Sequence, residues 1–436
     1  MSTRLEILIV GAGLSGLAAA IQCALSGHSV TVLEAARELA EIGAGLQLTP
    51  NATRLLQQWG VYANLQGPCE PVTCTVYSYK GKVLAHEDSF GQNCRRKYAA
   101  PFSDCHRVDL QQALVKRARE LGVQVVLDAR VIDLDFDVFP EDDGHSQQGI
   151  KKAEVKTSTG TIYEADLVVA ADGLWSTCRS VLLGRRDAPL PTGDLAYRIV
   201  LKIEQIKDEG LRKMVQEPGV RFWVGPGAHV VAYSLRGGTM FNVVLLVPDD
   251  LEEGIARTEG NVGEMRGLFE GWDPLLECVD KVDKWKLMHR EELDSWINPQ
   301  SNLVLVGDAC HPMLPYLAQG ANSSIEDGAV LGLLLAPTNF TSKVQLPATL
   351  QLFQKLRKAR GEAIARETFK QRRDFHMPDG AEQEARDNLF ERWSGRSEEL
   401  EKSEQGFPSR WTCPVVQRWL YGYDAVKEVE AALKRS

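Results

Sequence analysis

Residues 5–16 read LEILIVGAGLSG, a mainly apolar run that passes directly into a glycine-rich turn. Such a short apolar run is typical of a parallel strand that is buried on both faces. The segment after the turn predicts a helix to about Ser26, with Gly27 as its stop signal. SVTVLE at 29–34 predicts a second strand. The start of the chain therefore indicates a compact βαβ unit and an α/β fold.

The turn GAGLSG at 11–16 matches the G-x-G-x-x-G pattern of a dinucleotide site between a strand and a helix. In that pattern Gly11 permits the tight turn and Gly13 lets the backbone approach a pyrophosphate. Gly16 lets the helix pack against the strand. Glu34 ends the second strand, where a carboxylate accepts hydrogen bonds from ribose hydroxyls. The alternative is a glycine-rich turn that serves packing alone.

Two later apolar runs also end in small or acidic residues, DLVVAADG at 166–173 and LVLVGDA at 303–309. The carboxyl ends of parallel strands share one edge of a sheet, where ligands bind in open α/β folds. DGLWSTCR at 172–179, taken alone, is explained as an Asp–Gly turn after a strand. Asp308 at its strand end can hold a ribityl hydroxyl.

QGAN at 319–322 predicts the beginning of a helix that Pro337 stops. Residues Gly320, Ala321 and Asn322 would offer free backbone N–H groups without bulky side chains in the way. A helix N-terminus of this kind stabilises negative charge on a flat ligand.

The stretch from 190 to 250 has a different pattern, of short strand candidates joined by glycine turns. Its glycine turns GPG (225–227) and RGG (236–238) are typical of hairpins. We predict an inserted antiparallel sheet, to which segment 72–103 also contributes. The strand candidates are 195–203, 220–225, 229–236 and 239–248.

From about residue 346 the pattern is helical and charged. The basic clusters KLRKAR (355–360) and KQRR (370–373) predict solvated helix faces rather than a binding patch. Residues 394–409 predict a weakly structured linker.

Composition excludes several classes of protein. The 436 residues include 50 Lys plus Arg and 59 Asp plus Glu, a net charge of −9, which argues against nucleic acid as a partner. Nine cysteines without a CxxC pair indicate buried thiols in a reducing compartment, not a disulfide framework or a metal site. No apolar stretch approaches the roughly 20 residues that span a bilayer, and we expect no leader before the first strand. We expect a cytoplasmic protein without a transmembrane anchor.

Taken together, the glycine fingerprint, DGxxSxxR and GDAxHPxxPxxxQGxN resemble the single-component FAD-dependent aromatic hydroxylases, especially the fungal branch of the salicylate hydroxylase-like group. The resemblance implies a Rossmann-like FAD-binding domain with a parallel sheet, an inserted antiparallel-sheet substrate domain and a C-terminal helical region. The corresponding boundaries are 1–72, 104–185 and 290–345 for the FAD-binding domain, 73–103 and 186–289 for the substrate domain, and 346–436 for the helical region.

The resemblance also implies which residues hold FAD. Arg107 resembles a flavin-contacting arginine of the family, and its alternative is an ordinary surface arginine at a helix start. Loop 41–52 would pass beside the flavin, and Pro315 would flank its ring. The implied FAD-binding residues are Gly11, Gly13, Gly16, Glu34, Arg37, Ala44, Gly45, Gln47, Arg107, Asp172, Asp308, Pro315, Gly320, Ala321 and Asn322.

In this family NADH or NADPH reduces FAD, and O₂ then forms a flavin C4a-hydroperoxide that hydroxylates a phenolic or other aromatic small molecule. With one fingerprint visible, NAD(P)H is expected to dock transiently. Arg198 and Tyr233 resemble the residues that assist the phenolate in fungal members, although a strand Tyr is often a core residue and a strand Arg often salt-bridged. His229, Trp223 and Phe241 are further candidates for the substrate pocket, with core packing as the alternative for the two larger rings.

Two other functions stay open at this point. One is an FAD-dependent epoxidase or dehydrogenase that acts on an alkene or indole. The other is a non-catalytic binding protein that keeps the FAD fold. The expected setting is aromatic catabolism or secondary metabolism, with a monomer or a homodimer as the assembly.

Overall fold

A computed structural model describes residues 3–39, 44–138, 151–272, 281–394, 396–403 and 407–435. The strands are β1 (Glu6–Val10), β2 (Ser29–Leu33), β3 (Gly45–Leu48), β4 (Thr73–Ser78), β5 (Val83–Glu87), β6 (Ser103–His106), β7 (Gln124–Val126), β8 (Val131–Val138), β9 (Lys152–Thr157), β10 (Ile162–Ala165), β11 (Leu167–Ala170), β12 (Leu190–Lys202), β13 (Gly219–Gly225), β14 (Ala228–Leu235), β15 (Met240–Pro248), β16 (Arg257–Glu259), β17 (Asp283–His289) and β18 (Leu303–Leu305). The helices are α1 (Leu14–Leu25), α2 (Pro50–Gln58), α3 (Phe90–Tyr98), α4 (Arg107–Glu120), α5 (Thr177–Leu183), α6 (Glu209–Gln216), α7 (Val262–Leu268), α8 (Gly320–Leu334), α9 (Leu346–Phe375), α10 (Ala381–Trp393), α11 (Ser397–Ser403), α12 (Pro414–Tyr421) and α13 (Ala425–Leu433). Within these ranges, no helix combines the length and the apolar content needed to cross a bilayer.

A five-stranded parallel sheet forms the first layer, in the order β18-β11-β1-β2-β7. The three apolar runs that we predicted as parallel strands are β1, β11 and β18, and they lie side by side. Their side chains are almost entirely buried, as expected for strands covered on both faces. The predicted βαβ unit at the start of the chain is confirmed, and with it the α/β fold class.

An eight-stranded sheet forms the second large layer, in the order β16-β17-β12-β15-β14-β13-β4-β5. The hairpins at GPG and RGG join β13 to β14 and β14 to β15, as predicted. The sheet is not purely antiparallel, because β13 and β4 run parallel to each other. This pairing brings residues 73–78 next to 219–225, across a long stretch of intervening chain.

Both faces of this sheet are covered by apolar side chains. One face packs against the C-terminal region, where Phe222 contacts Phe375 and Trp411 at ring distances of 5.6 and 5.0 Å. The opposite face forms a separate core that includes Trp223 and Phe241. The sheet therefore has no solvent face along β13, β14 and β15, and its strands show no polar–apolar alternation.

Helix α9 buries two arginines of the 355–360 cluster. Arg357 is fully buried and forms ion pairs with Glu326 and Asp327 of α8, at 2.6 and 2.7 Å. Arg360 donates to the same glutamate at 2.8 Å. The prediction of a solvated helix face is wrong for these two residues, because their carboxylate partners lie at least 30 positions earlier in the chain.

One arginine of the second basic cluster, 370–373, also forms an ion pair. The guanidinium of Arg372 pairs with the fully buried Asp194 of β12, with one hydrogen bond of 2.6 Å. Arg373 is largely exposed, as predicted.

The predicted linker 394–409 is structured in its described part. It contains α11, and the side chains of Leu400 and Phe407 lie in the core between the eight-stranded sheet and the C-terminal helices. The linker prediction is therefore wrong there, since these two apolar residues have a surface to pack against.

Candidate active site

A cavity of about 280 Å³ lies where the two large sheets and the C-terminal region meet. Helices α1 and α8 both begin at its wall, and neither has a side-chain cap or an acidic residue in its first turn. Their amino ends therefore present positive partial charge and free N–H groups to the cavity. The predicted site residues that line it are Gly13, Ala44, Gly45, Gln47, Arg107, Arg198, His229, Tyr233, Asp308, Pro315, Gly320 and Ala321.

The three glycines of the fingerprint have different surroundings. A Cβ on Gly16 would lie 2.0 Å from the carbonyl oxygen of Gly11, so the helix and the turn could not meet as they do. Gly11 itself has φ of +105°, a conformation that favours glycine. Next to Gly13, by contrast, an added Cβ would meet nothing within 4 Å. The turn thus leaves open room beside Gly13, where the pattern expects a pyrophosphate.

Replacing Gly13 with alanine should leave the fold intact and weaken binding of the dinucleotide by about tenfold, because the new methyl group fills this room. Titration of the apoprotein with FAD, alongside thermal unfolding, measures both effects. Gly267→Ala in α7 is the matched control, since its Cβ also meets no other atom within 4 Å. Equal affinity in the two variants would contradict a cofactor beside Gly13.

Glu34 supports the same turn. Its carboxylate oxygens accept hydrogen bonds from the N–H groups of Ala12 at 2.7 Å and Ala36 at 2.9 Å. Arg37 lies outside the cavity lining, 88% exposed and 3.6 Å from Asp128. The carboxylate of Glu34 is thus held at the glycine turn, whereas Arg37 lies on the surface near it.

The polar side chains of the DGxxSxxR motif bind other groups of the protein itself. The two carboxylate oxygens of Asp172 accept from the hydroxyl of Ser176 at 2.6 Å and the N–H of Cys178 at 3.0 Å. Arg179 is 1% exposed and pairs with Asp187 at 2.7 Å. The carboxylate of Asp172 therefore holds the start of α5. Asp172 itself does not line the cavity, whereas its neighbours Ala171 and Gly173 do, and its contact with FAD stays a prediction.

Asp308 follows β18 at the carboxyl edge of the parallel sheet. Its side chain is surrounded by protein but is accessible from the cavity, which it lines. Burial in the surrounding protein raises its pKa, while His311 and Arg107 oppose the rise. Such a carboxylate can accept hydrogen bonds from hydroxyl groups, and a ribityl chain would supply these donors.

An Asp308→Ala variant should retain FAD about 10–100-fold less tightly, because hydrogen bonds to a charged group contribute roughly 1.5–3 kcal/mol. The measurement is the dissociation constant from fluorescence titration of the apoprotein. Asp88→Ala, at a side chain that is 85% exposed, is the control and should bind FAD normally. Normal occupancy in Asp308→Ala would remove this residue from the cofactor site.

Asn322 acts through its side chain as a brace. Its Oδ1 accepts from the N–H of Thr49 and its Nδ2 donates to the carbonyl of Gln47, both at 2.9 Å. The backbone N–H of Arg107 donates to the carbonyl of Ala44 at 3.0 Å. These bonds fix the described part of loop 41–52, residues 44–52, against α8 and α4; residues 41–43 lie outside the described ranges.

The eight-stranded sheet contributes Arg198 and Tyr233 to the opposite part of the wall. Burial lowers the pKa of Arg198, and the nearby Arg107 lowers it further; burial also raises the pKa of Tyr233 well above its usual range. Nε of Arg198 is buried without a hydrogen-bond partner, and its guanidinium lies 5.1 Å from the ring of Trp285. Among the described residues, no carboxylate pairs with it. Both side chains are therefore available to a ligand.

Trp223 and Phe241 do not line the cavity, so their assignment to the substrate pocket is wrong. Tyr233 pairs with Asn242 across β14 and β15, which places the neighbouring Phe241 on the other face of the sheet. Trp223 lies on that other face too, stacked on Tyr77 at 5.1 Å. His229, four residues before Tyr233, shares its face and does line the cavity.

Several residues of the cavity wall were not predicted from the sequence. Phe222, Tyr316 and Trp411 line the cavity, and the indole N–H of Trp411 donates to the carbonyl of Tyr316 at 3.0 Å. Tyr316 lies within the GDAxHPxxPxxxQGxN motif, so its place beside Pro315 was a usable signal. For Trp411 the sequence carries no such signal, because it lies in the C-terminal region that no motif covers.

Comparisons with known proteins agree with this geometry. The FAD binding domain family matches residues 4–368. The chain is 48% identical to FAD-dependent monooxygenase OpS4 of Beauveria bassiana (strain ARSEF 2860), over 98% of this chain and 97% of that protein. It is 30% identical to 3-hydroxybenzoate 6-hydroxylase of Polaromonas naphthalenivorans (strain CJ2), over 96% of each. A salicylate hydroxylase substrate complex shares the fold, with a TM-score of 0.72, 18% identity and 98% of each chain covered.

The resemblance drawn from the motifs is thereby confirmed, and so is FAD as the cofactor. The open room at Gly13, the two uncapped helix ends and the cavity-facing Asp308 fit this dinucleotide. The reading as a binding protein without activity finds no support. The chain belongs to the FAD binding domain family and is an FAD-dependent monooxygenase of the aromatic hydroxylase type.

Proposed function

We propose that this enzyme uses NAD(P)H and O₂ to hydroxylate a phenolic or other aromatic small molecule. The observation that carries the proposal is Arg198, a cation in an apolar cavity wall with no ion-pair partner among the described residues. A partly desolvated guanidinium without a partner favours an anionic ligand, because its lost hydration is otherwise uncompensated. A phenolate meets that requirement, and the relative named 3-hydroxybenzoate 6-hydroxylase is by its name an enzyme for a phenol.

FAD would lie between the two uncapped helix ends. The nucleotide half would contact the turn at 11–16 and the carboxylate of Glu34, and the flavin half would contact Asp308 and the first turn of α8. The chemistry that bound FAD supplies is electron transfer from NAD(P)H to O₂ and activation of oxygen for transfer to the ring. The further proposed contacts are Ala44, Gly45, Gln47, Arg107 and Pro315.

The protein's own part is to bind the substrate and assist its ionisation. Arg198 would pair with the phenolate oxygen, since a guanidinium stays charged at any working pH. The hydroxyl of Tyr233, whose pKa burial raises, would stay protonated and donate a hydrogen bond to the same oxygen. The apolar side chains of Phe222, Val244 and Leu246 would exclude water from the reacting ring.

The test is NAD(P)H consumption over a panel of phenols, with mass spectrometry of the products formed under ¹⁸O₂. We expect one phenol or more to stimulate NAD(P)H oxidation and to gain one ¹⁸O atom on the ring. A product without ¹⁸O would contradict the proposal and favour a dehydrogenase. Oxygen inserted into an alkene would favour an epoxidase.

A further inference from the structure

Two histidines connect the cavity wall with the end of α9. His229 on β14 lines the cavity and is 2% exposed. Its Nδ1 lies 2.7 Å from Nε2 of His376, the residue that follows the last residue of α9. His376 is only partly buried. The pair therefore spans from the substrate side of the cavity toward the outer surface.

The surrounding contacts hold the backbone of His376 and the ring of His229. The carbonyl of His376 accepts from the N–H of Gly227 in the β13–β14 hairpin, at 3.1 Å. The ring of His229 packs edge-to-face on Tyr316 and Phe375, with centroids 4.9 and 5.4 Å away. The orientation that joins the two imidazoles is thus held by three separate elements of the chain.

The charged groups around the pair balance each other. Asp194 on β12 and Arg372 on α9 form an ion pair, and Tyr316 donates its hydroxyl to the same carboxylate. Burial lowers the pKa of His229 well below its usual range, and burial lowers the pKa of His376 to about 4. Both rings are therefore neutral at neutral pH, each with one N–H donor and one acceptor nitrogen.

We propose that His229 and His376 form a proton relay that carries the phenolic proton of the substrate from the cavity to the surface. This proposal rests on the proposed function, since it takes a phenol as the substrate. The substrate proton moves to Nε2 of His229, the proton on its Nδ1 passes to Nε2 of His376, and the Nδ1 proton of His376 leaves to water. The electron pair of the broken O–H bond stays on the phenolate oxygen. The same chain runs in reverse when the product oxygen takes up a proton, and both rings return to their starting tautomers.

Within this relay the two residues have different roles. His229 accepts the proton of the substrate, whereas His376 acts through His229 and is a positioning residue. Neither residue is among the proposed FAD contacts.

The experiment measures proton release when a phenol of the panel binds to the oxidised holoenzyme, with a pH indicator in stopped flow. We expect His229→Gln and His376→Gln to slow this release about tenfold or more, with unchanged FAD content. The double variant should be no slower than the slower single variant, because both residues belong to one chain. Added imidazole should restore the rate in His376→Ala, whose lost ring was partly exposed. His86→Gln, at a histidine that binds Thr75 and Asp88, is the control and should behave as the wild type.

Unchanged proton release in His376→Gln would overturn the relay, and so would a slowed release that imidazole fails to restore in His376→Ala. The measurement needs neither NAD(P)H nor O₂, so its failure is distinguishable from failure of the hydroxylation test. A second readout needs no substrate. In protein with ¹⁵N-labelled histidine, the relay requires both rings to remain neutral between about pH 6 and 8 and the His229 resonances to shift in His376→Gln. A charged ring in that range would overturn it as well.

Discussion

An Arg357→Met variant should lose about 3–5 kcal/mol of unfolding free energy, because removing one member of a buried ion network leaves its partners uncompensated. Arg357 is fully buried against Glu326 and Asp327. The second of these carboxylates also accepts from the N–H of Gly307 at 2.9 Å. Urea unfolding of the holoenzyme at neutral pH measures the loss.

The neighbouring Lys358 supplies the matched control. Its side chain is 24% exposed and pairs with Glu362 one turn away, at 2.9 Å. Lys358→Met should cost clearly less, about 1 kcal/mol of unfolding free energy, because Lys358 reaches solvent and only one ion pair is lost, although its partner Glu362 is 7% exposed. A similar loss in both variants would mean that the buried network of Arg357 contributes no more to the unfolding free energy than a partly exposed ion pair does.

The same network predicts a specific response to acid. Burial alone raises the pKa of Asp327, but His311 and Arg357 together lower it to about 2, from 3.8 for the free side chain. A folded-state pKa below the unfolded value stabilises the protein above the unfolded pKa, and the contribution is lost as the pH falls toward about 2. The stability of the wild type should therefore fall more steeply between about pH 4 and 2 than that of Arg357→Met.

Replacement of Arg198 by methionine should lower kcat/KM for the phenolic substrate by about 100-fold, or about 2.7 kcal/mol, while FAD content stays normal. The side chain lies in the cavity wall, and methionine keeps its apolar stem but not its charge. Steady-state kinetics with the phenol identified in the panel measure the effect. Loss of flavin from this variant would contradict the assignment to the substrate.

Two further variants separate charge from position. Arg257 lies on the same ring of Trp285, at 4.4 Å, but its side chain is 38% exposed and pairs with Asp283. Arg257→Met should therefore keep kcat/KM within about twofold of the wild type. Arg198→Lys should recover part of the loss, since the charge returns without the fork of donors.

The FAD-binding half of the molecule was predictable because its signals are local. A strand, a glycine turn and a helix follow one another within 5–27, and each residue type is required by its neighbours in the chain. The structure gives β1, α1 and β2 at the expected positions. Asp308 was accessible to the same reasoning, because it directly follows the strand LVLV and its glycine.

The part of the cavity wall that the eight-stranded sheet forms was predictable only in part. Arg198 and Tyr233 were named through the family resemblance and do line the cavity, while their role in binding substrate stays a prediction. Which side chains of β13 and β15 face the cavity was not predictable, since both faces of that sheet are covered. Without a solvent face the strands carry no alternation that tells one face from the other. The pairing of Tyr233 with Asn242 determines which face of the sheet Phe241 occupies. That pairing is set by the folded structure and cannot be read from the local sequence.

The buried arginines were missed for a related reason. A run such as KLRKAR contains nothing that separates Arg357 from Lys358, although one is fully buried and the other reaches solvent. What separates them is the docking of α9 on the carboxylates of α8. Long-range pairing of this kind leaves no trace in the composition of either segment.

The matched family region ends at residue 368, yet Trp411, which lines the cavity, and His376, which contacts the cavity residue His229, both lie beyond it. On the proposed assignment, the cofactor is held by one part of the chain, while the cavity wall around the substrate is completed by another. Changes in the tail could retune which molecule is accepted without disturbing the redox machinery. Exchange of residues 369–436 between homologous enzymes is, on this basis, a direct route to new substrate selectivity.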